Sequence, residues 1–401
     1  MKVLLADALP DAAVQQLEAA GDDVTRLPDL NAETLPDAVA GHEVLVVRST
    51  KVTATALEAA DKLGLVVRAG AGTNTIDRDR AAELGIFVCN VPGKNALAVA
   101  ELTMGLLIAV DRHIAAGTAD LRAGNWNKKA YAKADGLFGR RMGIIGVGDI
   151  GIAVAARACA FGIDVVAVTK PSRSHATVAR AEAAGIHWVD DLDELLAICD
   201  IVSLHVPAAP GTKGMVDADF LAKMKDDAIL LNTSRGDVVD EAALIDAMDS
   251  RSIRAGLDVF ADEPVTSTAP FDSTVAKHTS VVATHHVGAS TEQAQNAVTD
   301  GTLEAIDAYR TGSPINCVNL DPVPTRAATL TVRHHDRVGV LANVLQALRK
   351  EQLNVSNMQN RVFAGSKAAV ASIDVGHLPT QKLIDEVMLL EDVIYVSVTP
   401  A

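Results

Sequence analysis

Three residues able to do acid–base and anion chemistry stand at the ends of three consecutive apolar runs. Leu230-Leu231 leads into Asn232-Thr233-Ser234-Arg235-Gly236. Gly256-Leu257 leads into Asp258-Val259-Phe260-Ala261-Asp262-Glu263-Pro264, and Val281-Val282-Ala283 into Thr284-His285-His286-Val287-Gly288. Arg235 offers a planar fork that holds a carboxylate by two bonds and polarises an adjacent carbonyl. His286 gives or takes a proton near neutral pH. Glu263, bonded to the imidazole, favours its protonated form and holds its orientation. Beside a hydride carrier, such a set interconverts a 2-hydroxy acid and a 2-keto acid. Taken singly, each residue reads more readily as part of an Arg–Glu surface pair or as a loop histidine; the weight lies in the combination.

The carrier has its own signal. Apolar Met142-Gly143-Ile144-Ile145 runs into Gly146-Val147-Gly148-Asp149-Ile150-Gly151, and a helix-like stretch follows. Gly146 permits a sharp turn, Gly148 lets a diphosphate approach the backbone, and Gly151 lets the helix pack on the strand. The free N–H groups at the helix start face the anion. The strand before and the helix after give this spacing its meaning.

The bulk composition sets bounds. A chain of 401 residues predicts two or three domains. It is 49% apolar but only 3% aromatic, so Ala, Val, Leu and Ile fill the interior, as suits helices on parallel strands. A net charge of −15 argues against nucleic acid and anionic membranes as partners. Cys89, Cys159, Cys199 and Cys317 are far apart in sequence and read as buried free thiols in a reducing, cytoplasmic setting. The N-terminus reaches Asp7 too soon for a signal peptide, and Ala96–Val110 is too short to span a bilayer.

Two alternating series of strands and helices must position these residues. The first has strands at Lys2–Ala6, Val44–Val47, Leu65–Arg68 and Ile86–Cys89, and a long helix over Asn95–Ala115. The second has six, at Gly143–Ile145, Asp164–Val168, Ile201–Leu204, Ala228–Leu231, Arg254–Leu257 and Ser280–Ala283. Ser290, with Gln293 as capping-box partner, is expected to begin another long helix. Gly312–Thr325 carries three prolines and reads as a linker. Residues 326–401 then follow a βαββαβ order, with a first strand at Thr329–Arg333, which predicts a ferredoxin-like module.

Over roughly residues 40–320 the sequence resembles the D-isomer-specific 2-hydroxyacid dehydrogenases. The resemblance rests on the glycine turn, Asp200–Pro207, Asn232–Gly236, Asp258–Pro264 and Thr284–Gly288. It implies an α/β fold: a Rossmann-type doubly wound cofactor domain inserted in a flavodoxin-like substrate domain. The implied division is 1–95 with 285–312 for substrate, 96–284 for the dinucleotide, a linker at 313–325 and a regulatory module at 326–401. Arg235, Glu263 and His286 are implied as the catalytic three, His286 being preferred to His285 because Val287-Gly288 follows it. Gly146, Gly148, Asp149, Ile150, Gly151, His205, Val206, Pro207, Thr212, Thr233, Ser234 and Asp258 are implied along an NAD or NADP cofactor. The strand Asp164–Val168 ends in Thr169-Lys170-Pro171-Ser172-Arg173, without the carboxylate that binds the adenosine ribose. Thr169 removes repulsion, and Lys170 or Arg173 attracts charge, so acceptance of NADP is expected.

Val47–Thr53 and Arg68–Asp77 resemble the members of that family that oxidise phosphoglycerate on the way to serine. Arg48, Ser49, Lys51, Arg68, Gly70, Ala71 and Asn95 are the implied substrate residues, the cations meeting the phosphate. A reductase of glyoxylate or hydroxypyruvate is the second reading. A non-catalytic cofactor sensor is a third, against which the full set of three speaks. The C-terminal module resembles the ACT domain through His334–Leu341 and Asn354-Val355. That likeness implies an amino-acid effector, with serine the expectation, at His334, Asp336 and Asn354, and a homodimer or homotetramer. No metal is expected, because His334-His335-Asp336 lacks further ligands at metal spacing.

Overall fold

The computed structural model describes residues 1–264, 268–321 and 326–401. It separates into two units, Met1–Asn319 and Leu320–Ala401. The last four residues of the expected linker, 322–325, lie outside the described residues.

The first unit holds two parallel sheets. One contains β1 (Lys2–Leu5), β2 (Asp23–Arg26), β3 (Val44–Val47), β4 (Leu65–Arg68) and β5 (Phe87–Asn90), in the order β2-β1-β3-β4-β5. This is the flavodoxin-like order. Val44, Leu45, Val46 and Val47 are all buried, because helices cover both faces. One covering helix comes from far along the chain: Glu292–Arg310 buries Ala305 and Ile306 against Val3, Leu5 and Val67. The sequence reading has no strand at Asp23–Arg26, whose polar DVTR lies at the sheet edge and carries no apolar run.

The other sheet contains β6 (Arg141–Ile145), β7 (Asp164–Val168), β8 (Ile186–Val189), β9 (Ile201–Leu204), β10 (Ile229–Asn232), β11 (Arg254–Leu257) and β12 (Val281–Ala283). Their order is β12-β11-β10-β9-β6-β7-β8, the dinucleotide-binding order extended by one strand. Seven strands replace the expected six; the addition is β8, an edge strand interrupted by exposed His187. The glycine turn leaves β6, where the strand order reverses and ligands bind in such sheets.

Two helices differ from expectation. Asn95–Ala115 is two helices, Ala96–Asp111 and Ile114–Arg122, because His113 adopts a left-handed φ of 53°. The long helix starts at Glu292 rather than Ser290. Thr291 caps it, its hydroxyl accepting from the Ala294 N–H at 3.1 Å.

The second unit contains β13 (Ala328–His335), β14 (Val355–Val362), β15 (Ala368–Val375) and β16 (Val393–Pro400), antiparallel in the order β14-β15-β13-β16. Burial alternates along β13 and β15, so a single face is covered. Helices Val340–Lys350 and Gln381–Met388 cover it through Val344, Leu348, Leu383 and Val387. The ferredoxin-like reading holds, but β13 runs two residues beyond the expected Arg333 and takes in His334. Among the described residues no helix is long and apolar enough to cross a membrane.

Candidate active site

The glycine turn is built as a cradle. Gly146 has φ 108°, and a Cβ there would stand 2.3 Å from the His205 carbonyl oxygen. A Cβ on Gly151 would stand 2.2 Å from the Gly146 oxygen, so this glycine is required by the approach of helix to strand. At Gly148 a Cβ would meet nothing within 4 Å. The space beside Gly148 is open, and the helix Asp149–Ala160 behind it has no side-chain cap. Open N–H groups at a positive helix end fit a diphosphate. Asp149 accepts from Arg180 Nη2 at 2.6 Å, and Ile150 is half-buried beside it.

Other implied cofactor residues sit around this cradle. The backbone of His205-Val206 flanks Gly146. The His205 ring is half-buried, with its Nδ1 shut off from solvent; it bonds Ser203 Oγ at 2.8 Å, and this desolvation lowers its pKa to about 3. Thr212 Oγ donates to the Pro207 carbonyl at 2.6 Å and closes that loop. Thr233 and Ser234 turn their hydroxyls inward, to Thr103 Oγ1 at 2.9 Å and Asn232 Oδ1 at 2.8 Å. Thr169 directly follows β7, its N–H on the Val189 carbonyl at 2.9 Å. Arg173 lies 4.6 Å above the Trp188 ring and donates to the Val168 carbonyl at 3.2 Å. Lys170 is exposed.

Tight backbone packing brings together the loops that carry the three chemical residues. A Cβ on Gly236 would lie 1.9 Å from the Phe260 carbonyl, so glycine there lets the Arg235 loop rest on the Asp258–Glu263 loop. Asn232 fixes the first loop, accepting from Ser234 N at 3.0 Å and donating to the Arg235 carbonyl at 2.8 Å. Asp258 fixes the third. Its buried carboxylate accepts from Thr284 Oγ1 at 2.6 Å, Val287 N at 2.9 Å and Gly288 N at 2.8 Å. Its carbonyl accepts the His286 N–H at 2.7 Å, and His286 holds φ at 53°. Asp258 is thus the anchor of the histidine turn, an arrangement the sequence does not announce.

Glu263 Oε1 accepts from Phe260 N at 2.9 Å, and Oε2 lies 2.6 Å from His286 Nδ1. The bond to Glu263 raises the imidazole above its usual pKa, outweighing burial. Burial alone would lift the carboxyl, but the His286 and Phe260 bonds bring it below the usual range. With Nδ1 donating to the carboxylate, Nε2 is the nitrogen left to exchange a proton with a ligand, and it has no partner among the described residues. His285 is exposed and makes no such pair.

The cations gather on the first sheet's strand ends. Arg68, at the end of β4, is largely buried; burial first, then the charges of Arg235 and Arg48, lower its pKa to about 10. Its Nε is buried without a partner. Gly70 and Gly72 make room for the two guanidinium groups. A Cβ would stand 1.5 Å from Arg68 Nη1 at the first and 2.7 Å from Arg235 Nη2 at the second. Arg48 and Ser49 are set by Asp7, whose Oδ2 accepts the N–H groups of Arg48, Ser49 and Thr50 at 2.7, 3.1 and 3.0 Å. No sequence motif marks Asp7, although it follows β1 as Arg235 follows β10. The Ala71 carbonyl accepts from Asn90 at 2.6 Å. Asn95 precedes the helix Ala96–Asp111 without capping it. Lys51 is exposed, and no bond joins it to the arginines.

In the second unit, His334 is buried rather than presented in a loop. Its Nδ1 bonds the His335 carbonyl at 2.7 Å and its Nε2 the Asn360 side chain at 3.2 Å. Asp336 and Asn354 are exposed.

Residues 104–288 match the family model "D-isomer specific 2-hydroxyacid dehydrogenase, NAD binding domain". The chain is 39% identical over 385 residues to D-3-phosphoglycerate dehydrogenase of Methanocaldococcus jannaschii, covering 95% of this chain and 69% of the relative. It is 43% identical over 282 residues to hydroxypyruvate reductase of Thermotoga maritima, covering 69% and 88%. The crystal structure of D-lactate dehydrogenase from Aquifex aeolicus with NAD and lactic acid superposes with a TM-score of 0.68 at 25% identity, covering 80% of this chain and all of that one. The chain belongs to the D-isomer-specific 2-hydroxyacid dehydrogenase family, a class of nicotinamide-dependent oxidoreductases. It spans only 59% and 56% of the length of the mycobacterial phosphoglycerate dehydrogenases it matches.

Proposed function

We propose that this chain oxidises D-3-phosphoglycerate to 3-phosphohydroxypyruvate, the entry to serine synthesis, with NAD or NADP. The observation that carries this reading is the close set of Arg48, Arg68 and Arg235. Burial first, and then the charges of Arg235 and Arg48, lower the Arg68 pKa, so a bound anion relieves both costs. A 2-hydroxy acid alone needs one such group; a second anionic end accounts for the others. Arg235 holds the substrate carboxylate and polarises the C2 oxygen. His286 Nε2 takes the C2 hydroxyl proton, and Glu263 stabilises the resulting imidazolium. A bound nicotinamide supplies the acceptor for the C2 hydride. In reverse, His286 returns the proton to the carbonyl oxygen.

We further propose that the second unit acts as an ACT-like module that binds L-serine between two copies, through Asp336 for the ammonium and Asn354 across the interface. The enzyme is then a cytoplasmic homodimer or homotetramer. The buried, fully bonded His334 supports the strand from within rather than meeting the effector. Reduction of hydroxypyruvate or glyoxylate is the second reading, favoured by the likeness to the Thermotoga reductase.

The test is oxidation of D-3-phosphoglycerate followed at the nicotinamide absorbance, with the keto product trapped as its hydrazone. Trapped 3-phosphohydroxypyruvate is the expected result; no turnover with either cofactor would overturn the reading.

A further inference from the structure

Two of the four thiols, 228 positions apart in sequence, meet at the edge of the first sheet. Beyond β5, residues 316–319 return as a short antiparallel strap. The Asn90 N–H donates to the Asn316 carbonyl at 3.2 Å, and the Val318 N–H to the Val88 carbonyl at 2.8 Å. The Asn319 side chain closes the strap by bonding Val88 N at 2.9 Å and the Ile86 carbonyl at 2.8 Å. Cys89 and Cys317 are directly opposite across this bridge. The two backbone bonds flank them rather than join them, so they form the non-hydrogen-bonded kind of pair. In that kind the Cα atoms approach to about 4.5 Å and the side chains lie closest. Such a separation falls within the range a disulfide spans without backbone movement. The Sγ atoms are 3.0 Å apart, with Cys89 buried and Cys317 half-buried. Cys159 and Cys199, each without a sulfur neighbour among the described residues, have no such geometry.

We propose that Cys89 and Cys317 are a reversible thiol–disulfide clamp that fastens this strap to the first sheet. The co-reactant is a low-molecular-weight disulfide. The accessible Cys317, as thiolate, attacks one of its sulfurs and displaces the first small thiol. The Cys89 thiolate then attacks Cys317 Sγ in the mixed disulfide and displaces the second. The two protein thiols are oxidised by two electrons, the small disulfide is reduced to two thiols, and these carry the two protons away. Burial raises the Cys89 pKa, so the second displacement is the slow step. The bond links positions far apart in the chain and therefore restricts the unfolded state strongly. It forms outside the catalytic set, so it changes the stability of the first unit and leaves the chemistry in place.

The full chain is equilibrated with oxidised glutathione, quenched in denaturant with iodoacetamide, reduced, labelled with N-ethylmaleimide and mapped by peptide mass spectrometry. The expected result is N-ethylmaleimide on Cys89 and Cys317 of the same chain and iodoacetamide on Cys159 and Cys199. An unreduced sample yields the joined Cys89–Cys317 peptide. Thermal unfolding of the oxidised chain is expected ~5 °C higher, reversed by dithiothreitol and absent in Cys317→Ser. Cys317→Ala serves the same purpose if the serine variant does not fold. The proposal is overturned if Cys89 stays free after equilibration, if Cys317 carries only glutathione, or if the joined peptide links two chains.

Discussion

His286 Nδ1 lies 2.6 Å from Glu263 Oε2, and the two groups shift each other's ionisation in opposite directions. Oxidation needs the imidazole neutral, so its rate rises with pH through a value above the usual 6.5; reduction needs it charged and falls over the same span. Glu263→Gln removes the stabilising charge. The expected outcome is a pH profile of kcat/KM for oxidation displaced toward lower pH, with kcat reduced about 10–100-fold. An unmoved profile would separate Glu263 from the histidine.

His286→Ala is expected to cost 10²–10⁴-fold in kcat while circular dichroism and thermal unfolding stay near the parent, a range typical of a lost general acid or base. Arg235→Ala should lower kcat and also raise KM, because it binds the ground-state carboxylate as well as the developing charge. His285→Ala should leave both constants within about twofold; a large loss there with little at His286 would exchange the two roles.

Neutral replacement of Arg48 or Arg68 should weaken turnover of the phosphorylated substrate much more than that of an unphosphorylated analogue. Lys51, exposed and unbonded, should show the smaller effect of the three. Asp7→Asn releases the N–H groups that set Arg48 and is expected to raise KM with little change in kcat. Parallel losses on both substrates would remove the phosphate from the account.

The end of β7 carries Thr169, exposed Lys170 and an Arg173 braced by Trp188 and the Val168 carbonyl. Arg173 spends one N–H on that carbonyl and keeps the others for a ligand. NADP is therefore expected to match or exceed NAD in kcat/KM, and Thr169→Asp to shift preference toward NAD. A tenfold preference of the parent for NAD, about 1.4 kcal/mol, contradicts this.

L-Serine at millimolar concentration is expected to release or absorb heat in calorimetry on the full chain and to lower its rate. An effector shifts a conformational equilibrium only by binding one state more tightly. Asp336→Ala and Asn354→Ala should abolish both signals while the basal rate holds. Glycine provides the comparison; silence with both amino acids would leave the second unit a structural role.

Much of this architecture is legible from the chain itself. The continuous aliphatic runs of β3, β4, β9 and β10 betray strands covered on both faces, and the glycines at 146, 148 and 151 each meet the environment their spacing implies. Edge strands were harder: β2 and β8 mix polar with apolar residues because one side of each lacks a neighbour. The break at His113 rests on a single left-handed residue that no periodicity marks. Arg235, Glu263 and His286 can be placed on loops, yet the approach of those loops depends on Gly236 admitting the Phe260 carbonyl and on Asp258 gathering three donors. Those are relations across the sheet, and sequence distance conceals them. Sequence distance conceals the Asp7 contacts and the Cys89–Cys317 pair for the same reason.

Selection of a phosphorylated 2-hydroxy acid by the clustered arginines is what the proposed substrate stands on. Its most direct test is the ratio of kcat/KM for D-3-phosphoglycerate to that for D-glycerate, measured with the same cofactor at the same pH and ionic strength. A ratio of ~30 or more is expected, since a buried charge-assisted contact is worth roughly 2–3 kcal/mol. Arg68→Gln is expected to collapse the ratio toward unity. A ratio near unity in the parent, with D-glycerate turned over well, would contradict it and leave the hydroxypyruvate reductase reading in its place.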